Sequence, residues 1–335
     1  MLLTVGMPLY NDAKLLPKVI ESVLNQTFTD FEFVIVDNCS TDGSYEIAKK
    51  YAKKDSRIKL YRNRTNVGAF NNFRIVQRMP KADFFCPKSS DDVIAPTYFE
   101  ELLKLLKSDD EAVLAYSNAD NVTGKLCSYD YDNPLERAKK MAETFCYGHV
   151  GYGIYRSSIW NEIQSPMKLQ HNDHILFMDL CLHGKVLYLD KVLYYRNVPE
   201  IRVRESFAAL CGAKEGGDYP DIGWLEMLIG HIRIVQNSTI VKDKKVFCCE
   251  IAEIIYKRFG NAIIKEYLLL AKSLKTLRRI KDDNKQWKVL ERDNLLREAK
   301  IAVEYIPHFH KYLFKETSKL WKLFRKIKRK ISFWG

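Results

Sequence analysis

The chain has 335 residues, 47% of them apolar and 29% charged, with 54 Lys and Arg against 42 Asp and Glu, for a formal net charge of +12. That length accommodates one large domain or two smaller ones around a sizeable core, and the apolar fraction is ordinary for a globular protein. No apolar run approaches the roughly 18–20 residues of a membrane span, and the opening MLLTVGMPLYND lacks the basic start of a secretory signal, so it reads as a first strand.

Taken in order, residues 2–7 read as strand, 14–26 as helix and 31–37 (FEFVIVD) as a buried strand. Residues 42–54 read as helix, 57–61 as strand, 67–79 as helix and 82–86 as strand; a helix at 96–107 and a strand at 112–117 follow. Continuous apolar strands separated by amphipathic helices predict an α/β domain with a mostly parallel sheet flanked by helices. Beyond residue 118 the pattern is mixed, with helices at 133–145 and 173–183 and strands at 185–189 and 192–196. From about 218 onward apolar residues recur at helical spacing, as in CCEIAEIIYKRF. The Gly-rich break near 205–217 suggests a boundary. The expected organisation is a domain over 1–210, a helical extension over 211–310 and a basic amphipathic helix over 311–335.

The eight cysteines, at 39, 86, 127, 146, 181, 211, 248 and 249, form no CxxC pair. That argues against a structural zinc site, and their apolar surroundings suit reduced, buried thiols in a cytosolic setting. Polar groups cluster where the strands stop: Pro8-Leu9-Tyr10-Asn11, then Asp37 to Ser44, then Arg62 to Gly68, then Ser89-Ser90-Asp91-Asp92. In a parallel sheet those ends share one edge, where ligands bind. Adjacent Asp91 and Asp92 are costly to hold side by side unless a cation binds there, and a divalent metal carrying a phosphorylated ligand is the usual solution. Neither GxGxxG nor GxxxxGK[ST] occurs, so dinucleotide and P-loop readings lack their signature.

The succession PLYN, VDNCSTDGS, NRTNVGAFNN and SSDD resembles the inverting family 2 glycosyltransferases of GT-A fold, over roughly residues 1–200. The resemblance implies that Pro8 and Tyr10 line a base pocket and that Asp37 accepts a hydrogen bond from a uracil-type imide. It implies nucleotide contacts by Arg64 and Asn66, and places Asp91 and Asp92 at the acidic end of the metal motif, with Mn²⁺ or Mg²⁺ bridging both phosphates. The common Asp-x-Asp-Asp is here Ser89-Ser90-Asp91-Asp92, without its first acid, and Asn38 stands where a second aspartate is common.

An inverting transfer needs a general base for the acceptor hydroxyl. In LQHNDHILFMDLCLHG, Asp173 opens a helix at the place where the family carries its base, with Asp179 the weaker choice and His171 and His174 flanking. A helix N-terminus favours the ionised carboxylate. VLYLDKVLYYRN resembles the family's closing strand pair, with Arg196 matching its arginine and Val198 replacing its histidine; Arg202 to Arg204 suggest a basic lid. His149 reads as a core histidine.

Residues 311–330 carry nine Lys/Arg and one Glu, and Leu313, Leu320, Trp321, Phe324, Ile327 and Ile331 recur at helical intervals. That pattern predicts a helix lying on an anionic membrane surface, with no nucleic-acid motif beside it. The reading is a metal-dependent transferase, peripheral at the inner face of the cell membrane. It moves a sugar from a nucleotide-sugar, a UDP-sugar by preference, to a glycan or lipid-linked acceptor of the cell envelope. The rivals are a nucleotidyltransferase, for which MPLYNDAKLL lacks the Gly-rich basic loop, and a non-catalytic membrane scaffold, kept open by the missing first acid.

Overall fold

The computed structural model describes residues 1–79, 82–120, 122, 125–145, 148–163, 172–197, 223–277, 286–307 and 309. The described residues fall into two compact units, one within residues 1–219 and one from 220 onward.

The continuous apolar runs of the first unit become its central strands. They are β1 (Leu3–Leu9), β2 (Phe31–Asp37), β3 (Ile58–Arg62) and β4 (Phe84–Pro87), separated by α1 (Leu16–Leu24), α2 (Ser44–Lys54) and α3 (Ala69–Gln77). Then follow β5 (Val93–Ile94), α4 (Tyr98–Lys107), β6 (Ala112–Ala119), α5 (Pro134–Thr144), β7 (Ile154–Arg156), α6 (Asn172–His183) and β8 (Lys185–Tyr195). The eight strands make one sheet in the order β3-β2-β1-β4-β7-β6-β8-β5.

The strands expected from sequence pair in parallel with one another: β1 with β2 and β4, β2 with β3, and β6 with β8. The antiparallel pairs all involve β5 or β7, short strands that the hydrophobic pattern did not foretell. Two further strands, expected at 185–189 and 192–196, are one strand. Its ladder to β6 shifts register around Asn118, which breaks the alternation that made it look like two.

Helices cover both faces. Leu3, Val5, Met7 and Leu9 of β1 pack with Leu16, Val19, Ile20 and Val23 of α1 and with Phe99, Leu102 and Leu106 of α4. On the opposite face Val34 and Val36 of β2 and Phe85 of β4 meet Val76 of α3. Gly6 is where α3 comes closest to the sheet: a Cβ there would lie 2.5 Å from Val76 Cγ1 and 2.7 Å from Phe85 Cε2.

The second unit is helical, with α7 (Gly223–Asn237), α8 (Lys244–Leu277) and α9 (Gln286–Glu304). Most of α7 is buried, from Leu225 through Val235, as expected of a helix surrounded by its neighbours. Trp224 stacks on Phe259, with ring centroids 4.1 Å apart. Among the described residues no helix is long and apolar enough to cross a membrane. The basic tail over 311–335, the segment 202–204 and His171 lie outside the described residues, as does the side chain of His149.

Candidate active site at the carboxyl edge of the sheet

The chain winds outward from β1 through β2 to β3, then returns to lay β4 on the other side of β1. Such a reversal opens a crevice beyond the carboxyl ends of the strands on either side of it. The loops that leave β1, β2, β3 and β4 meet there, and hydrogen bonds tie them together.

Asn11 and Cys39, just past β1 and β2, have φ of 52° and 63°, the only non-glycine positive values among the described residues. Left-handed backbone is costly for side chains other than glycine, and it persists where surrounding contacts enforce it. Here those contacts are explicit. The Asn11 amide donates to Ser40 Oγ (3.1 Å), that of Asp12 to Ser44 Oγ (2.9 Å), that of Ala13 to Asp42 Oδ2 (2.9 Å), and that of Thr41 to Asn11 Oδ1 (2.9 Å). Partial burial pushes the Asp42 carboxyl up, but the Ser44 hydroxyl and the Ala13 and Ser44 amides outweigh it and hold the group below the usual range.

Asp37 ends β2 with its side chain fully buried. Its carboxylate accepts from the Ser40 amide at 3.2 Å and pairs with Arg62 Nε at 3.1 Å. The register of β2 on β3 puts Asp37 directly opposite Arg62, and the Arg62 guanidinium lies 4.3 Å from the centroid of the Tyr45 ring. Beside it runs a lattice of asparagines. Asn38 donates to Asn66 Oδ1 (2.8 Å) and accepts from Asn63 Nδ2 (3.0 Å) and the Val67 amide (3.0 Å). Asn63 also donates to Asn72 Oδ1 (2.9 Å), and Asn72 donates to the Val36 carbonyl (2.9 Å). Asn38, standing where an aspartate is common, is thus a two-way connector that a carboxylate would not be. Tyr10 is 44% exposed beside this surface; Pro8 is half-buried, and Arg64 is exposed.

The Ser89–Asp92 loop divides its two acids. Asp92 is buried, and its carboxylate accepts from the Tyr194 hydroxyl (2.6 Å) and the Asn197 amide (2.8 Å). Asp91 is half-buried and accepts a hydrogen bond from the Ser89 hydroxyl, while Ser90 donates one to Asp12, past the end of β1. Lys88 precedes them with no exposed surface; its ammonium donates to the carbonyls of Ser89 (3.0 Å) and Asp92 (2.6 Å). Burial lowers the Lys88 pKa to about 8, against the attraction of Asp92, Cys86 and Asp91.

Among the described residues no three His, Cys, Asp or Glu side chains form a cluster able to hold a metal alone. The donors present are oxygens only: Asp91, with Asp12 brought close through Ser90. That set fits Mn²⁺ or Mg²⁺, ions that complete their coordination with substrate phosphates and water.

Asp173 is the second residue of α6, and its Oδ1 accepts from the His174 amide at 2.8 Å. Only Gly184 separates α6 from β8. His174 is buried, edge-on to Phe145 at 5.4 Å. Asp179 is buried too, 3.5 Å from His183. The Arg196 amide donates to Asp120 Oδ1 (2.6 Å), which pins the end of β8 to the end of β6. Sequence reasoning gave no individual role to Arg62, Lys88, Asp120 or Tyr194.

An α/β sheet with this order, this crevice and this acidic loop is the GT-A fold. Residues 4–161 match the family model Glycosyl transferase family 2. The chain is 24% identical to the chondroitin synthase of Escherichia coli over 200 residues, 58% of this chain and 29% of that protein. It is 28% identical to glycosyltransferase GlyG of Streptococcus pneumoniae over 130 residues, 38% of this chain and 43% of that protein. The chain thus spans less than half the length of these relatives. The crystal structure of S. aureus TarS in complex with UDP-GlcNAc aligns with a TM-score of 0.63 at 18% identity, covering 91% of this chain and 84% of that one. The mannosyltransferase PcManGT of Pyrobaculum calidifontis, in complex with GDP-Man and Mn²⁺, aligns with a TM-score of 0.50 at 14% identity, covering 89% and 86%. At these identities the structural likeness speaks to the fold.

Proposed function

We propose that this chain is an inverting glycosyltransferase that moves a sugar from a UDP-sugar to the hydroxyl of a glycan or lipid-linked acceptor of the cell envelope. The observation that carries the proposal is the meeting of the four strand-end loops at one crevice, with Asp91 on one side of it and Asp37 with its asparagine lattice on the other. Solved structures of the same fold bound to UDP-GlcNAc and GDP-Man support a nucleotide-sugar in that crevice.

Pro8 and Tyr10 hold the base, with Arg64 and Asn66 beside it; Asp37, fully buried, supports that pocket through Ser40 and Arg62 and does not touch the base. Asp91 faces the diphosphate, and Asp92 anchors its loop to β8 through Tyr194 and Asn197; Arg196 approaches the donor from that side. Asp91, with Asp12 near it, would hold a divalent ion, which would supply charge neutralisation for the departing diphosphate. Asp173 takes the proton of the acceptor hydroxyl as its oxygen attacks the anomeric carbon. The new C–O bond forms opposite the bond to phosphate, which breaks with its electron pair on the leaving nucleoside diphosphate, so the configuration inverts. Residues 311–335 hold the enzyme against the inner face of an anionic membrane.

The test is release of UDP from UDP-sugars in the presence of Mn²⁺. A transferase releases the diphosphate, a nucleotidyltransferase releases pyrophosphate, and a scaffold releases neither. Turnover that persists in Asp173→Asn removes the assigned base. Co-sedimentation with vesicles containing phosphatidylserine, lost on deleting 311–335, tests the membrane contact.

A further inference from the structure

We infer that Lys88 is a positioning residue: a resident cation around which the Ser89–Asp92 loop is folded, so that Asp91 is presented to a nucleoside diphosphate and its divalent ion. The inference rests on the transferase reading, and it concerns a residue that never reaches the ligand, because Lys88 has no exposed surface.

Four observations carry it. The Lys88 ammonium donates to the carbonyls of Ser89 and Asp92, the first and last residues of the loop, at 3.0 and 2.6 Å. The two ends of the loop are therefore drawn inward onto one charge. The Lys88 amide donates to the Gly6 carbonyl at 2.8 Å, so the base of this arrangement is fixed to β1 at the centre of the sheet. Third, the ammonium stands 5.4 Å from the centroid of the Tyr194 ring, and the Tyr194 hydroxyl holds the Asp92 carboxylate. One cation thus faces the carbonyl of Asp92 and the ring that binds its side chain. Fourth, with the loop ends turned in, its middle residues reach toward the crevice: Ser90 bonds Asp12, and Asp91 stays half-buried.

Chemistry agrees with geometry. Burying an ammonium is costly, and an apolar side chain of similar length would fill the same space without that penalty. Two adjacent carboxylates also repel unless a positive charge is near. Here the chain supplies one from beneath, before any metal arrives. Outer-shell partners that orient a ligating carboxylate are commonly as sensitive to substitution as this predicts.

Calorimetry of the full chain with UDP, with and without MnCl₂, tests the assignment. Lys88→Met is expected to weaken Mn²⁺-dependent UDP binding by up to about 10-fold, while metal-free UDP binding stays as in the wild type. In an Asp91→Asn background the same substitution has little further effect, because its action passes through Asp91. Lys88→Gln keeps one donor for the carbonyls and stands in if Lys88→Met does not fold. Wild-type binding in both Lys88 variants, equal losses with and without Mn²⁺, additivity with Asp91→Asn, or failure of both variants to fold each overturn the proposal. If the wild-type chain binds no UDP under either condition, the transferase reading has failed as well; if it binds and the variants match it, only Lys88 has been misassigned.

Discussion

Both units of this protein bury polar side chains, and one group of them stands apart from the rest. In the first unit Asp37, Asn38, Ser40, Ser44, Asn72, Lys88, Ser90 and Asp92 are buried at or just beyond the carboxyl edge of the sheet or on a helix facing it, while Thr4, Gln26, Arg137 and Asp179 are buried elsewhere in the unit. The edge group holds loops whose exposed members, Tyr10, Asn11 and Arg64, border the crevice. In the second unit Glu226, His231 and Glu266 are buried within helices. Glu266 accepts from the Leu225 amide at 2.8 Å, and His231 bonds the Met227 carbonyl through Nδ1 at 2.6 Å. Those bonds stay within the helical unit. Buried polarity marks a site when the bonded groups converge on an open edge; when they close on one another it marks only a satisfied core.

That contrast makes a prediction about what each kind of substitution disturbs. The largest effect belongs to Asp173→Asn, which is expected to lower kcat by about 10²- to 10⁴-fold while donor KM and thermal midpoint hold. A matching fall in stability would place Asp173 with the core groups instead. Next comes acid. Burial lowers the His231 pKa from 6.5 to about 4, helped by Arg258 and opposed by the bond to Met227. The folded state refuses a proton that the unfolded chain accepts, so stability is complete above pH 6.5 and is lost as pH falls toward 4, by roughly 3 kcal/mol. Urea unfolding of His231→Gln against wild type across that window checks this, and parallel curves would refute it. Asn72→Ala lies between the two kinds. It removes two buried hydrogen bonds, the one given to the Val36 carbonyl and the one taken from Asn63, so it is expected to cost about 1–3 kcal/mol and to weaken UDP binding together. Asp91→Asn should cost the least overall: about tenfold in Mn²⁺-dependent UDP affinity, or 1.4 kcal/mol, with no change in melting. The same tenfold loss should appear when EDTA is added to the wild type.

The sheet was readable because its central strands are buried on both faces. FEFVIVD over 31–37 needs no partner to announce itself, and β2 spans those residues. β5 and β7 were not readable, since two- and three-residue strands carry no period and owe their pairing to neighbours. The convergence of the strand-end loops followed from parallel topology alone. Which side chain meets which did not. Arg62 reaches Asp37 because strand register sets the pair, and register is invisible in one sequence. Lys88 directly continues the apolar run of Phe84–Pro87, a strand buried at every position, and that continuity is the signal for its burial. The division between Asp91 and Asp92 depends on Tyr194, more than a hundred residues away.

Gly6 lies inside the sheet, in β1, and it governs how closely α3 can lie on it. Even one methyl there collides with Val76 and Phe85, and Val76 shares its helix with Asn72. Enlarging residue 6 would act as a wedge, prising the helix outward and dragging the asparagine lattice with it. A screen for altered nucleotide preference would then register a hit deep in the hydrophobic interior, transmitted by leverage and not by contact.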